Sequence, residues 1–226
     1  MMNNNFKIAW RTLLKQRRYS VIKIGGFALS IAACLLIALY IKDELSYDKN
    51  WAYADRIYRV TGEYNNQGKI ETGNDWPAPM AKALREDFPE VEKAGRIMDA
   101  PLFYGAGSNQ VRPFDVKQNT YEHGFSYADQ ELLDILQVPM IYGDRTHALS
   151  EPNTMVISKS KADKYFPGQN PVGKTMILNN DVTKPYKIGG VMKDFPTTSH
   201  IHYDFFLTMT GHQLWDNEQT TWMASN

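Results

Sequence analysis

Hydrophobic and polar positions change rhythm twice along the chain. Residues 24–41 read IGGFALSIAACLLIALYI, eighteen positions without a charge. At about 1.5 Å per residue a helix of that length covers about 27 Å, and adding residues 21–23 brings it to roughly the 30 Å of a bilayer core. The first predicted element is therefore one membrane-spanning helix over residues 21–41. Ahead of it, Phe6, Trp10, Leu13 and Leu14 recur at helical spacing on one side, with Lys7, Arg11, Lys15 and Arg18 on another. This pattern predicts an amphipathic helix over residues 1–20, lying in the interface with its basic side toward anionic headgroups. Residues 42–53 show no strand alternation, and they predict a polar continuation of the spanning helix, a stalk over 42–55.

From Arg56 the rhythm shortens. RIYRVTGEY alternates with period two and predicts a strand; NNQG at 65–68 is a turn, and residues 69–72 return as the second strand of a hairpin. Asn74 or Asp75 can cap a helix whose first turn tolerates Pro77 and Pro79 and which Pro89 stops. Strand-like runs follow at 94–98, 101–104 and 111–116, then a short helix over 129–136. A strand at 154–157 leads into a helix capped by Ser158, with Ala162, Tyr165 and Phe166 facing inward. Strands at 175–178 and 186–192 flank an NNDV turn. Helices and strands mix without the regular alternation of a parallel α/β domain, so the fold class is α+β over residues 56–226.

Charge gives the chain a direction. The first acidic residue is Asp43, and six basic residues precede the apolar run, leaving 19 of the 25 Lys and Arg against all 25 Asp and Glu, net −6. The basic flank places the N-terminus in the cytoplasm and the domain outside it. Cys34, the single cysteine, lies within the span, so the exported part has no disulfide. Ile31-Ala32-Ala33-Cys34 has the look of a lipoprotein acylation site, but seven apolar residues follow Cys34, whereas a lipidated cysteine ends its apolar run. No small-x-small cleavage site closes the run either, which favours an uncleaved anchor.

Candidate chemistry is sparse. GQNPVGKT matches the nucleotide-binding pattern Gly-x-x-x-x-Gly-Lys-Thr through Gly168, Gly173, Lys174 and Thr175. A phosphate-binding loop needs strand, loop, helix, so that N–H groups at a helix start face the phosphates. The predicted order here is helix, loop, strand, and Pro171 removes an N–H from the loop, so the match is read as a false one. His200 and His202 could share a strand face with Asp204 or Asp194 as oxygen ligands, but no further His or Cys is nearby. Ser158, Ser160 and Lys161 offer hydroxyls and an amine without an oxyanion-stabilising turn. Asp43, Glu44 and Asp48 read as the solvated surface of the stalk. The reading is a non-enzyme with no catalytic residue, cofactor or metal, and the acidic exported part has no basic, aromatic-interleaved patch for nucleic acid.

Several blocks taken in order carry a resemblance: FKIAWRTLLKQRRYSVIKIGGFALSIAACLLIALYI, DELSYDKNWAYADRIYRV, FSYADQELLDIL with GDRTHAL, EPNTMVISKSKADKYFPGQNPVGKTM, and YKIGGVMKDFPTTSHIHYDFF. The chain resembles the N-terminal part of a MacB/FtsX-type ABC-transporter permease, comprising the first transmembrane helix and the MacB-like periplasmic core domain. The resemblance implies a non-catalytic permease subunit in the inner membrane, working in export, efflux or mechanotransmission. Its implied partners are a cytoplasmic ABC ATPase, a second permease copy forming a dimer, and membrane lipid, with a periplasmic adaptor as a further candidate. It also implies a porter-like subdomain near residues 56–64 with a second, inserted subdomain. The family has more spanning helices after this domain, so a truncated core domain is expected here. The alternative is a single-pass or lipoprotein-type protein that binds a ligand or envelope partner.

Overall fold

The computed structural model describes residues 7, 8, 10–12, 15–49, 51–98, 109–211, 220 and 222. The chain divides into two compact units, Met1–Tyr47 and Asp48–Asn226. In the first, helix α1 (Arg17–Glu44) contains the whole uncharged run and is long and apolar enough to cross a membrane. It is apolar on every side, as a helix matched to hydrocarbon must be. Ser30 keeps its hydroxyl satisfied inside the helix by donating to the Gly26 carbonyl at 2.9 Å. Lys7, Ile8, Trp10, Arg11 and Thr12 are helical and exposed. Phe6, Leu13 and Leu14, which define the apolar side expected of an interfacial helix, lie outside the described residues.

The helix does not continue as a stalk over 42–55. It ends at Glu44, where the Leu45 N–H bonds Ile41 O and the Ser46 hydroxyl closes on Asp43 O at 2.6 Å. Turns occupy residues 45–49, and a single 3-10 turn forms at Ala54–Arg56.

The second unit opens with a hairpin, β1 (Gly62–Asn66) and β2 (Lys69–Gly73). Gln67 and Gly68 link them, both with positive φ (52° and 90°), which is the two-residue connection that suits the twist of paired strands. The strand expected from Arg56 starts only at Gly62. The Trp76 indole donates to Val60 O at 3.0 Å and lies on Gly62, leaving no room for a side chain there. The next helix, α2 (Met80–Asp87), begins later than an Asn74 or Asp75 cap would set it. Pro79 takes the cap position, and the carbonyls of Pro77 and Pro79 accept the N–H groups of Met80 and Ala83. The prolines thus fill the turn in which a missing N–H costs nothing.

Nine further strands form one mixed sheet: β3 (Ile97–Met98), β4 (Asn109–Pro113), β5 (Thr120–Glu122), β6 (Phe125–Ala128), β7 (Met140–Gly143), β8 (Thr154–Ser158), β9 (Thr175–Leu178), β10 (Tyr186–Met192) and β11 (Phe205–Thr208). Their order is β3-β6-β11-β8-β10-β9-β4-β5, with β7 also on β10. The β6–β11 and β8–β10 pairs are parallel and the rest antiparallel. The α+β class read from the sequence therefore holds: a long apolar helix followed by a mixed α+β domain. The expected strands at 94–98 and 111–116 become β3 and β4, and the run at 101–104 lies outside the described residues.

Strand alternation sorts the core into two layers. Met155, Ile157, Phe205 and Leu207 face one side with Val111, Met176 and Leu178, and helix α4 (Lys159–Tyr165) closes over them with Ala162 and Phe166. Val156, Phe206 and Met192 face the other side, covered by Leu132 and Leu133 of helix α3 (Gln130–Ile135) and by Leu136 and Leu149. In β10, Ile188 and Val191 reach the same layer although three residues apart, because the strand bulges between Ile188 and Gly190. On its edge away from β8, β10 pairs with β9 at Tyr186 and Lys187 and with β7 from Gly190 to Met192. A Cβ on Gly189 would stand 2.0 Å from the Ala148 carbonyl oxygen, so only glycine fits.

Candidate functional site

Two polar assemblies in the sheet-bearing unit bring together residues that are far apart in sequence. The first centres on Glu122, at the end of edge strand β5 and 5% exposed. Its Oε2 accepts from Lys161 Nζ at 2.6 Å, and its Oε1 accepts from Lys164 Nζ at 2.6 Å and from the Tyr165 hydroxyl at 2.7 Å. Helix α4 supplies all three donors, at spacings of three and four residues that put them on one face. Lys161 Nζ also lies 3.2 Å from Asp204 Oδ2, and the Ser158 hydroxyl donates to Asp204 Oδ1 at 2.7 Å. Burial pushes the Glu122 pKa up, but the hydrogen bonds from Lys161, Lys164 and Tyr165 outweigh it and hold the carboxyl below its usual range. For Lys161, burial pulls down while Glu122 and Asp204 pull harder up, and the net shift is upward.

The placement of these groups decides what Ser158 and Lys161 can do. A serine–lysine catalytic pair needs a neutral amine facing the hydroxyl. Here Lys161 is flanked by two carboxylates, and the Ser158 hydroxyl donates its hydrogen bond to Asp204 while its Oγ caps α4 by accepting from the Lys161 N–H at 3.4 Å. Ser160 lies 3.1 Å from Ser158 Oγ, and its N–H is taken by Asp194 Oδ1 at 3.0 Å. The cluster ties α4 to β5, β8 and the start of β11.

GQNPVGKT lies between α4 and β9, in the order helix, loop, strand. Gly168 and Gly173 take positive φ (70° and 86°) to shape the turn. Its amides are directed at protein acceptors: Gly173 N–H to Ile188 O at 2.8 Å, Lys174 N–H to Pro171 O at 2.9 Å, and Val172 N–H to Asn170 Oδ1 at 3.1 Å. The Lys174 ammonium contacts Gln169 Oε1 and lies 5.1 Å from the Phe166 ring centre, and Thr175 is the first residue of β9.

His200 and His202 do not share a strand face, because residues 201–203 form no strand. His200 Nδ1 lies 2.7 Å from Asp48 Oδ2, whereas His202 Nδ1 lies 3.1 Å from Ser199 O. Asp204 and Asp194, their suggested oxygen partners, are engaged with α4. Cys34 lies in the middle of α1.

The second assembly is built on Asp48, which is not on a helix surface as expected. It takes a left-handed conformation (φ 55°) at the start of the sheet-bearing unit. Its N–H bonds Thr198 O at 2.9 Å, and its Oδ1 accepts the His200 N–H at 3.0 Å and the Trp51 indole N–H at 3.4 Å. Trp51 meets Phe195 edge-on at 5.6 Å, and Phe195 meets Phe206 of the core at 5.9 Å. Burial works to raise the Asp48 pKa, but the His200 and Trp51 hydrogen bonds leave it lowered. Neither Asp48 nor Glu122 carries a signal in the sequence, since a single acid among 25 is marked only by its distant partners.

No curated protein gives a match. Among solved structures, a domain of a proposed permease from Porphyromonas gingivalis shares 27% identity at a TM-score of 0.56, over 68% of this chain and 65% of that one. The chain thus spans just under two thirds of that structure. The periplasmic region of MacB from Actinobacillus actinomycetemcomitans matches at 14% identity and TM-score 0.39, over 54% of each chain. The extracellular domain of the ABC-type transporter YknZ from Gram-positive bacteria matches at 18% and 0.33, over 46% of this chain and 50% of that one. The model of the MacB-like periplasmic core domain covers residues 20–225, and on that extent the chain belongs to the MacB-like periplasmic core domain family.

Proposed function

We propose that this chain is the first-helix and periplasmic-domain part of a non-catalytic ABC-transporter permease, relaying motion driven by a separate cytoplasmic ATPase to the sheet-bearing unit. The observation that carries this reading is the order of parts: a basic N-terminus, a charge-free helix of bilayer length, and a family domain that begins with that helix. The basic flank sets the N-terminus in the cytoplasm, by which the domain lies in the periplasm. Residues 1–20 rest on the inner leaflet, and a second permease copy completes the membrane unit. GQNPVGKT is then a structural turn on the side of the membrane away from ATP, its amides already bonded to protein. The ion-paired Lys161 likewise supports a structural rather than catalytic role for α4.

Affinity purification of the full-length protein from its native membranes tests the reading. An ABC ATPase should co-purify, and deletion of residues 6–18 should reduce the ATPase activity recovered. Recovery of the protein without any ATPase, with its downstream coding region supplied, overturns it.

A further inference from the structure

The β1–β2 hairpin forms a sheet of its own, and among the described residues no strand of the nine-stranded sheet pairs with it. A two-stranded sheet with both edges in water is marginal, and an open edge is a template for another strand. The two edges of this hairpin are not alike. Just ahead of β1, the Trp76 indole takes the Val60 carbonyl at 3.0 Å. On β2, Ile70 and Thr72 are exposed, Ile70 at 69%. Asn66 and Lys69 close a two-residue turn and so exchange hydrogen bonds with each other. Alternation then turns the main-chain groups of Ile70 and Thr72 away from β1, toward the open edge. The strands run in unbroken register without a proline or a bulge, two of the devices that blunt an edge.

We propose that the β2 edge pairs with the β2 edge of a second copy of this chain, antiparallel and centred on Ile70, so that two hairpins make one four-stranded sheet. The run Lys69-Ile70-Glu71 supports this choice, because it is self-complementary about its middle residue. Two-fold pairing about Ile70 lets the two Ile70 residues exchange both main-chain bonds and sets the Lys69 of each copy against the Glu71 of the other. Opposite charges directly across two strands stabilise the pairing, and like charges oppose it. Moving the centre to Glu71 puts two carboxylates face to face, and a centre between Ile70 and Glu71 sets Lys69 against Thr72 and Glu71 against Ile70. The charges therefore select one register. Within one copy Lys69 Nζ already lies 3.2 Å from Glu71 Oε1, so pairing completes a ring of four alternating charges. A lysine on an edge repels strands that offer it no acid; this strand offers one. An unrelated strand gains nothing from the symmetry of the pattern, which favours a second copy over another partner. One strand edge is small beside the roughly 1,200–2,000 Å² of a stable interface. The contact thus forms where a membrane unit already holds two copies at high effective concentration, and in that respect it rests on the proposed function.

Two differently tagged copies of the full-length protein, co-expressed in a Cys34→Ser background with the downstream coding region supplied, test the contact in native membranes. One copy carries Lys69→Cys and the other Glu71→Cys, positions that face each other at a Cα separation of about 4.5 Å, within disulfide reach. Mild oxidation should join them at least about tenfold more than it joins Lys69→Cys with Glu63→Cys, which lies on β1, since a disulfide tolerates little error in placement. Adding Ile70→Pro to both copies removes the outward N–H and leaves the hairpin's own ladder whole. It should cut the cross-link about tenfold, as the loss of one or two net hydrogen bonds does. Pull-down through one tag, without oxidant, reports the dimer independently. Copies that co-purify but cross-link no better than the Glu63→Cys control overturn the hairpin contact and leave the transport reading standing, and so does a cross-link that Ile70→Pro leaves unchanged. Copies that never co-purify overturn both.

Discussion

Glu122→Gln is the substitution whose cost the structure specifies most fully. The native carboxylate is 6% exposed at its side chain and receives donors at 2.6, 2.6 and 2.7 Å. Glutamine keeps the shape but offers one acceptor oxygen, and its amide group points N–H bonds at an ammonium. A hydrogen bond to a charged group contributes about 1.5–3 kcal/mol, a range that suits Lys161, whose side chain is 18% exposed. Lys164 is 45% exposed, so its share falls to about 0–1 kcal/mol. Lys161 keeps Asp204 at 3.2 Å, which limits the cost of stranding its charge. The expected loss is about 3 kcal/mol, below the upper end of about 5 kcal/mol seen when a buried pair is broken. Urea unfolding of the full chain in detergent, followed by tryptophan fluorescence, should show the midpoint falling by about 1–1.5 M. The pH profile gives a second reading. The Glu122 pKa is depressed, so its contribution is full above the unfolded carboxyl value of about 4.3 and is lost as pH falls through the folded value. Lys161 is raised, so its part is full below about 10.4 and is lost as pH rises through the folded value. Wild-type stability should therefore drop below about pH 4, and the Gln variant should lack the share of that acid limb that Glu122 contributes, the share from Asp48 and the other lowered carboxylates remaining. A midpoint shift under about 0.3 M, or an unchanged acid limb, refutes the reasoning.

Three further outcomes follow from the same geometry. Gly189→Ala must displace the Ala148 carbonyl, backbone rather than a flexible side chain, and should cost about 1–3 kcal/mol or more in the same unfolding experiment. Lys174→Ala should leave the ATP-dependent activity of the assembled system unchanged, and ATP binding by the isolated chain that this substitution abolishes would contradict the reading of GQNPVGKT. Phe205→Ala removes a fully buried ring stacked 4.3 Å from Phe125 and should cost about 3–5 kcal/mol, enough to lower the melting temperature by roughly 10 °C.

The elements legible in the sequence are those with local punctuation. Gly173 stands ahead of β9 and the NNDV turn, whose Asn179 and Asn180 take positive φ, separates β9 from β10, while Ser158 announces α4 through its capping oxygen. β6 and β11 were missed because FSYA and FFLT are buried at every position, as interior strands of a sheet covered on both faces are, and show no alternation. β5 has three residues, too few to carry a pattern. The stop at Glu44 had no glycine or proline to mark it. The chain turns there and enters the second unit through Asp48, whose partners at Thr198, Ser199 and His200 lie beyond any local window. The candidate chemistry divides the same way. The order of elements around GQNPVGKT could be read locally, whereas the diversion of Ser158, Lys161, His200 and Asp204 into hydrogen bonds with remote residues needed the fold.

The account stands on the basic N-terminus and the sheet-bearing unit lying on opposite sides of a membrane. In a Cys34→Ser background, single substitutions Val182→Cys, at an exposed loop position, and Lys15→Cys, ahead of the span, can each be probed with a membrane-impermeant maleimide on cells whose outer barrier has been permeabilised. The account predicts that the Val182→Cys protein is labelled with the inner membrane intact and the Lys15→Cys protein only after lysis. Labelling in the reverse order, or of both before lysis, would contradict it.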